Sequence, residues 1–225
     1  MNHTPDQPRK VLLAGASGLI GGLLLQGLLA HRAVTEVHAL VRRPMDARHA
    51  KLHLNQVDFT ALAALPEVDE VYLALGTTIR LAGSQTAFRD VDLHANLAVA
   101  EAAVKVGAHR IGLVSAVGAN PNSAVFYNRV KGELEVALMA MELDALVIAR
   151  PSLLLDSRTH LGQTPRLAEQ LSIPIGKLIA PLVPGAYRPV YAQSVANALL
   201  RHVPAATGLL VLPSDELASH GALSA

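Results

Sequence analysis

Twenty residues without a charge, VLLAGASGLIGGLLLQGLLA at positions 11–30, follow Arg9 and Lys10 near the start of the chain. A run of that length can span a membrane. Its glycines point elsewhere, because Gly15, Gly18 and Gly21 stand in a Gly-x-x-Gly-x-x-Gly spacing at the point where a strand would hand over to a helix. Glycine permits the tight turn and lets backbone N–H groups approach a diphosphate at the helix N-terminus. The run is therefore expected to be buried in a fold, with no membrane insertion.

Downstream the same alternation repeats. Strands are expected at residues 10–15, 36–43, 54–58, 70–76, 110–116, 145–151 and 208–213. Helices are expected at 18–30, at 85–106 up to Gly107, from the stretch AVFYNRVKGELE at 124–135, and at 191–203. Strands separated by helices in this way imply right-handed crossovers and a doubly wound parallel sheet, an α/β fold of Rossmann type. A composition of 51% hydrophobic and 3% aromatic residues suits strands buried on both faces. Residues 1–225 read as a single domain, with the proline-rich stretch 151–190 as a small substrate lobe on the sheet's carboxyl edge.

Nineteen basic residues against 18 acidic ones leave no basic stripe, and with few aromatics a nucleic-acid partner is not expected. The chain has no cysteine, which excludes disulfides, thiolate nucleophiles and Cys-ligated zinc. His49 and His53 stand four apart with no third ligand nearby, so no metal is expected. A cytoplasmic location is the expectation.

A dinucleotide site of this kind commonly carries an acid after the second strand, to take the ribose 2′-hydroxyl. Here the strand ends LVRRP, and Arg42 and Arg43 suit a 2′-phosphate instead. NADP(H) is thus expected in preference to NAD(H), unless the two arginines only solvate a strand end. Asp58, closing the third strand, is placed to meet the adenine or to serve as a turn or N-cap residue.

Ser115 is expected at the carboxyl end of the fifth strand, with Tyr127 twelve residues on and Lys131 four further. Four residues apart on a helix, Tyr127 and Lys131 share a face. Reduction of a carbonyl by hydride needs a proton for the developing alkoxide. A phenol can give it, but titrates near ~10 when free, and reaching neutrality takes roughly 4 kcal/mol of phenolate stabilisation. A neighbouring ammonium and a cationic cofactor ring would contribute that, while serine would hydrogen-bond the substrate oxygen. Each residue alone is ordinary; the glycine loop and the spacing together make Ser115, Tyr127 and Lys131 a catalytic expectation.

GASGLIG, Ser115 and YNRVK resemble the short-chain dehydrogenase/reductase superfamily. The segments at 74–92, 113–135 and 148–158 together resemble its atypical, Tat-interactive-protein-like branch, which is similar to NAD-dependent epimerase/dehydratase-like proteins. The resemblance implies that Gly15, Ser17, Gly18, Leu19 and Ile20 line the dinucleotide, with Arg42 near its 2′-phosphate. It implies that Leu75, Gly76 and Thr77 pass beside the adenosine, and that Pro151, Ser152 and Leu153 flank the nicotinamide. A fourth member of the proton relay, Asp92 or Asn96, is left open. The implied activity is NADP(H)-dependent reduction or oxidation of a small-molecule substrate; a dinucleotide-binding regulatory or scaffold protein is the alternative. A homo-oligomer or a protein partner fits either.

Overall fold

The computed structural model describes residues 7–155 and 188–221. In chain order these form β1 (Arg9–Ala14), α1 (Leu19–Ala30), β2 (Val34–Val41), β3 (Leu52–Gln56), β4 (Glu70–Leu73), α2 (Ile79–Ala82) and α3 (Gln85–Arg89). A π-helical turn (Asp90–Ala95) leads into α4 (Asn96–Lys105), followed by β5 (Arg110–Val114), α5 (Phe126–Met139) and β6 (Ala145–Arg150). Beyond the undescribed stretch come α6 (Ala192–His202), β7 (Gly208–Pro213) and α7 (Ser214–Ala218). Most of the expected lobe at 151–190 lies outside the described residues.

The seven strands form one parallel sheet in the order β3-β2-β1-β4-β5-β6-β7. Strand order reverses between β1 and β4, and the crevice outside their carboxyl ends is where an open α/β sheet binds ligands. Along β1, Val11 and Leu13 face one layer while Leu12 and Ala14 face the other. On the first side Leu24 and Leu28 of α1 pack with Val195 and Leu199 of α6. On the second side Val99 and Ala103 of α4 pack with Val130 and Leu134 of α5. Each leucine so buried contributes about 1.5–3 kcal/mol. Gly27 lets α1 and α6 come close, since a Cβ there would lie 2.2 Å from Leu200 Cδ1.

At the opposite, amino edge the buried Arg9 pairs with Glu70 at 3.0 Å, and the Tyr72 hydroxyl donates to the same carboxylate at 3.2 Å. Burial pushes the Glu70 carboxyl up, against the pull of Arg9.

Three departures from the expected elements shape the site. β2, β4 and β5 leave the sheet at Val41, Leu73 and Val114, so Arg42, Arg43, Leu75–Thr77 and Ser115 sit in the loops that follow them. β3 ends at Gln56, before Asp58, whose Oδ1 accepts from Thr60 N and Thr60 Oγ1. The helix expected over 85–106 contains the π turn. The Asn96 side-chain amide donates to the carbonyls of Leu75, Val91 and Asp92, diverting the regular ladder. The wider turn brings Asp92 round toward α5.

Candidate active site

The loop from Gly15 to Gly18 closes tightly. Gly15 has φ +98°, and a Cβ there would lie 2.4 Å from Ala74 O. A Cβ on Gly21 would lie 1.9 Å from Gly15 O, so the first turn of α1 is pressed directly against the loop. Gly18 caps α1 without a side-chain acceptor, and the first turn carries no acid. The positive end of a twelve-residue helix therefore meets the crevice without a carboxylate of its own. Such a cradle fits a diphosphate.

Two concavities flank the loop. The larger, about 1240 Å³, is lined by Gly15, Ser17 and Gly18 together with Arg42, Arg43 and Asp58. The smaller, about 380 Å³, is lined by Gly18, Leu19 and Ile20 on one side and by Ser115, Tyr127 and Lys131 on the other. Leu75, Gly76 and Thr77 line both and so form their shared wall. Pro151 and Ser152 also line the smaller cleft, while Leu153 is 44% exposed and does not. Leu154 takes its place, because its backbone forms a parallel bridge with Val190 and side chains alternate along extended chain. Ser152 is held by its hydroxyl, which donates to Arg188 O at 2.5 Å, and its amide donates to Ser214 Oγ.

α5 delivers Tyr127 and Lys131 to one face, as i, i+4 spacing requires. The Tyr127 ring leans on Phe88 at 5.6 Å between centroids. Lys131 Nζ is buried and pairs with Asp92 Oδ1 at 2.7 Å; Asp92 Oδ2 accepts from Thr77 N at 2.8 Å. Burial alone would push the Lys131 ammonium down, but Asp92, with Tyr127 and Glu135 adding, leaves it above its ordinary value. Gly76 borders this buried pair, and a Cβ there would make ordinary contact at 3.5 Å from Asp92 Oδ1 and 4.0 Å from Lys131 Nζ. Of the two residues left open in the relay, Asp92 meets Lys131, whereas Asn96 braces backbone.

Three participants had no sequence expectation. Glu135 lies four residues beyond Lys131 on the same helical face, and Ser115 Oγ donates to its Oε1 at 2.5 Å. Arg150, just before Pro151, donates through Nε to Oε1 at 3.0 Å and through Nη2 to Oε2 at 2.5 Å. Asn128, next to Tyr127, also lines the smaller cleft. The continued spacing Tyr127, Lys131, Glu135 was the available signal for Glu135. Among the described residues no three His, Asp or Glu side chains gather to hold a metal, and no helix is long and apolar enough to cross a membrane.

The model of a family described as NAD(P)H-binding matches residues 15–172. The mitochondrial protein FMP52 of Eremothecium gossypii is 35% identical over 173 residues, covering 75% of this chain and 75% of the relative. That of Saccharomyces cerevisiae is 33% identical over 161 residues, covering 68% and 69%. Among solved structures, an oxidoreductase of the short-chain dehydrogenase/reductase family from Burkholderia thailandensis superposes with a TM-score of 0.65 at 22% identity, covering 94% of each chain. MoeE5 in complex with UDP-glucuronic acid and NAD gives 0.69 at 20% identity, covering 90% of this chain and 75% of that one. At such identities the structures share the fold. The names of the FMP52 relatives overturn the cytoplasmic expectation, since they are mitochondrial proteins. That expectation rested on reading the glycine-interrupted run at 11–30 as strand, loop and helix in place of a membrane anchor, a reading of fold that carries no information about compartment.

Proposed function

Since the chain belongs to the NAD(P)H-binding family, we propose that it is an NADP(H)-dependent oxidoreductase of short-chain dehydrogenase/reductase type, acting on a small carbonyl or alcohol. The observation that carries this reading is the shared cleft, where Tyr127 and the Asp92-held ammonium of Lys131 face the first turn of α1. A protein that only bound dinucleotide would have no use for a phenol there.

When bound, the dinucleotide supplies or takes hydride at its nicotinamide ring. The chain's own groups do the rest. The glycine loop and α1 hold the diphosphate, and Arg42 and Arg43 offer guanidinium forks to a 2′-phosphate. Leu75–Thr77 and Asp58 line the adenosine side, and Pro151 and Ser152 the nicotinamide side. With hydride supplied to the carbonyl carbon of a substrate, Tyr127 would pass its hydroxyl proton to the oxygen and so complete the alcohol. The phenolate then regains a proton from water. Lys131 would stabilise that phenolate and hold ribose hydroxyls of the bound dinucleotide.

NADPH and NADH titrated against wild type test the cofactor assignment. Arg42→Ala is expected to weaken NADPH by about 10- to 100-fold, the size of a lost charge-assisted hydrogen bond, with little change for NADH. Equal weakening of both overturns the 2′-phosphate role, and binding of neither overturns the oxidoreductase reading.

A further inference from the structure

The bond from Ser115 to Glu135 changes what that serine can do. A hydroxyl has one proton and two lone pairs. The Ser115 proton goes to Glu135 Oε1 at 2.5 Å, away from the cleft that Ser115 lines. Glu135 is 2% exposed, and both of its oxygens also accept from Arg150, so the carboxylate is held from two sides. Lys131, one turn earlier on α5, adds a second cation nearby. What Ser115 leaves to the cleft is its lone pairs.

We propose that Glu135 is a positioning residue, whose carboxylate takes the Ser115 proton and so makes Ser115 a hydrogen-bond acceptor for the reacting hydroxyl. The inference rests on the oxidoreductase reading. An acceptor serine takes a bond from a substrate alcohol, or from the Tyr127 hydroxyl, and has no proton for a carbonyl oxygen. Proton donation to a carbonyl then falls to Tyr127 alone. Ser115 favours the alcohol over the ketone in the cleft, since oxidation of the alcohol removes the O–H that Ser115 accepts. A buried serine beside a carboxylate that two arginine donors already orient has no low-cost alternative rotamer for its proton.

The test has two arms. Proton NMR of the full chain without dinucleotide should show a solvent-protected, downfield hydroxyl signal. It should be lost in Ser115→Ala and move upfield in Glu135→Gln. Absence of a protected signal, or one indifferent to Glu135→Gln, overturns the proposal. Ser115→Ala keeps the Glu135–Arg150 pair, so this arm reads out even where Glu135→Gln does not fold. In binding, Glu135→Gln should weaken the product alcohol relative to the carbonyl substrate by about 10-fold while NADPH affinity holds. It should cost nothing further in the Ser115→Ala background. Losses that multiply in the double variant overturn the proposal, because Glu135 then acts only by bracing Arg150. A wild type that oxidises NADPH with no carbonyl ends the oxidoreductase reading, and the hydroxyl signal alone then decides where the serine proton lies.

Discussion

Tyr127→Phe is expected to leave NADPH binding unchanged and to cut carbonyl-dependent NADPH oxidation by about 10²- to 10⁴-fold, the contribution of a positioned proton donor. The substitution removes one oxygen from a half-buried ring. The contact of that ring with Phe88, at 5.6 Å between centroids, remains, so the helix and the cleft keep their shape. What disappears is the proton for the developing alkoxide. Equal turnover by the two proteins contradicts the assignment of Tyr127. Loss of dinucleotide binding together with turnover also contradicts it, by making the hydroxyl a binding group.

The second large effect concerns stability. Asp92→Ala strands the Lys131 ammonium in a site from which water is nearly excluded. Breaking such a pair from one side costs about 3–5 kcal/mol. The pH dependence carries a sign that distinguishes this from simple loss of packing. In wild type the Lys131 pKa is raised above 10.5, so its contribution is complete below that value and is lost only as pH climbs through the raised one. In the variant burial acts unopposed by Asp92 and pushes the ammonium down. The folded state then holds fewer protons than the unfolded state just below pH 10.5, and its stability rises with pH in that window. Denaturant unfolding at several pH values should therefore show the gap between variant and wild type narrowing from neutral toward alkaline pH. A gap that stays constant contradicts a stranded charge.

Much of this fold was legible in the sequence, for a physical reason. Parallel strands buried on both faces read as short, dense apolar runs, and β1, β2, β5 and β6 are of that kind. The run at 11–30 looked like a span until its glycines were taken into account, and the Cβ clashes at Gly15 and Gly21 show why only glycine serves there. Tyr127 and Lys131 were legible because helical spacing alone puts them on one face. Ser115, Glu135 and Arg150 meet through three different elements, and nothing in local spacing reports a contact that depends on the register of β5 against β6. The same holds for Asp92. Its approach to Lys131 needs the π turn, and periodicity at 3.6 residues cannot show an added residue in a turn. Leu153 and Leu154 were exchanged because chain alternation after Pro151 depends on the bridge to Val190, far along the chain.

Hydride transfer by this cleft has a direct measurement. NADPH carrying deuterium at the reactive carbon of its dihydronicotinamide ring is incubated with the protein and a panel of small aldehydes and ketones, and the alcohols are weighed by mass spectrometry. Wild type is expected to place one deuterium on the carbinol carbon of at least one alcohol, and Tyr127→Phe to place none above background. Tight NADPH binding with no deuterium in any alcohol would contradict the account.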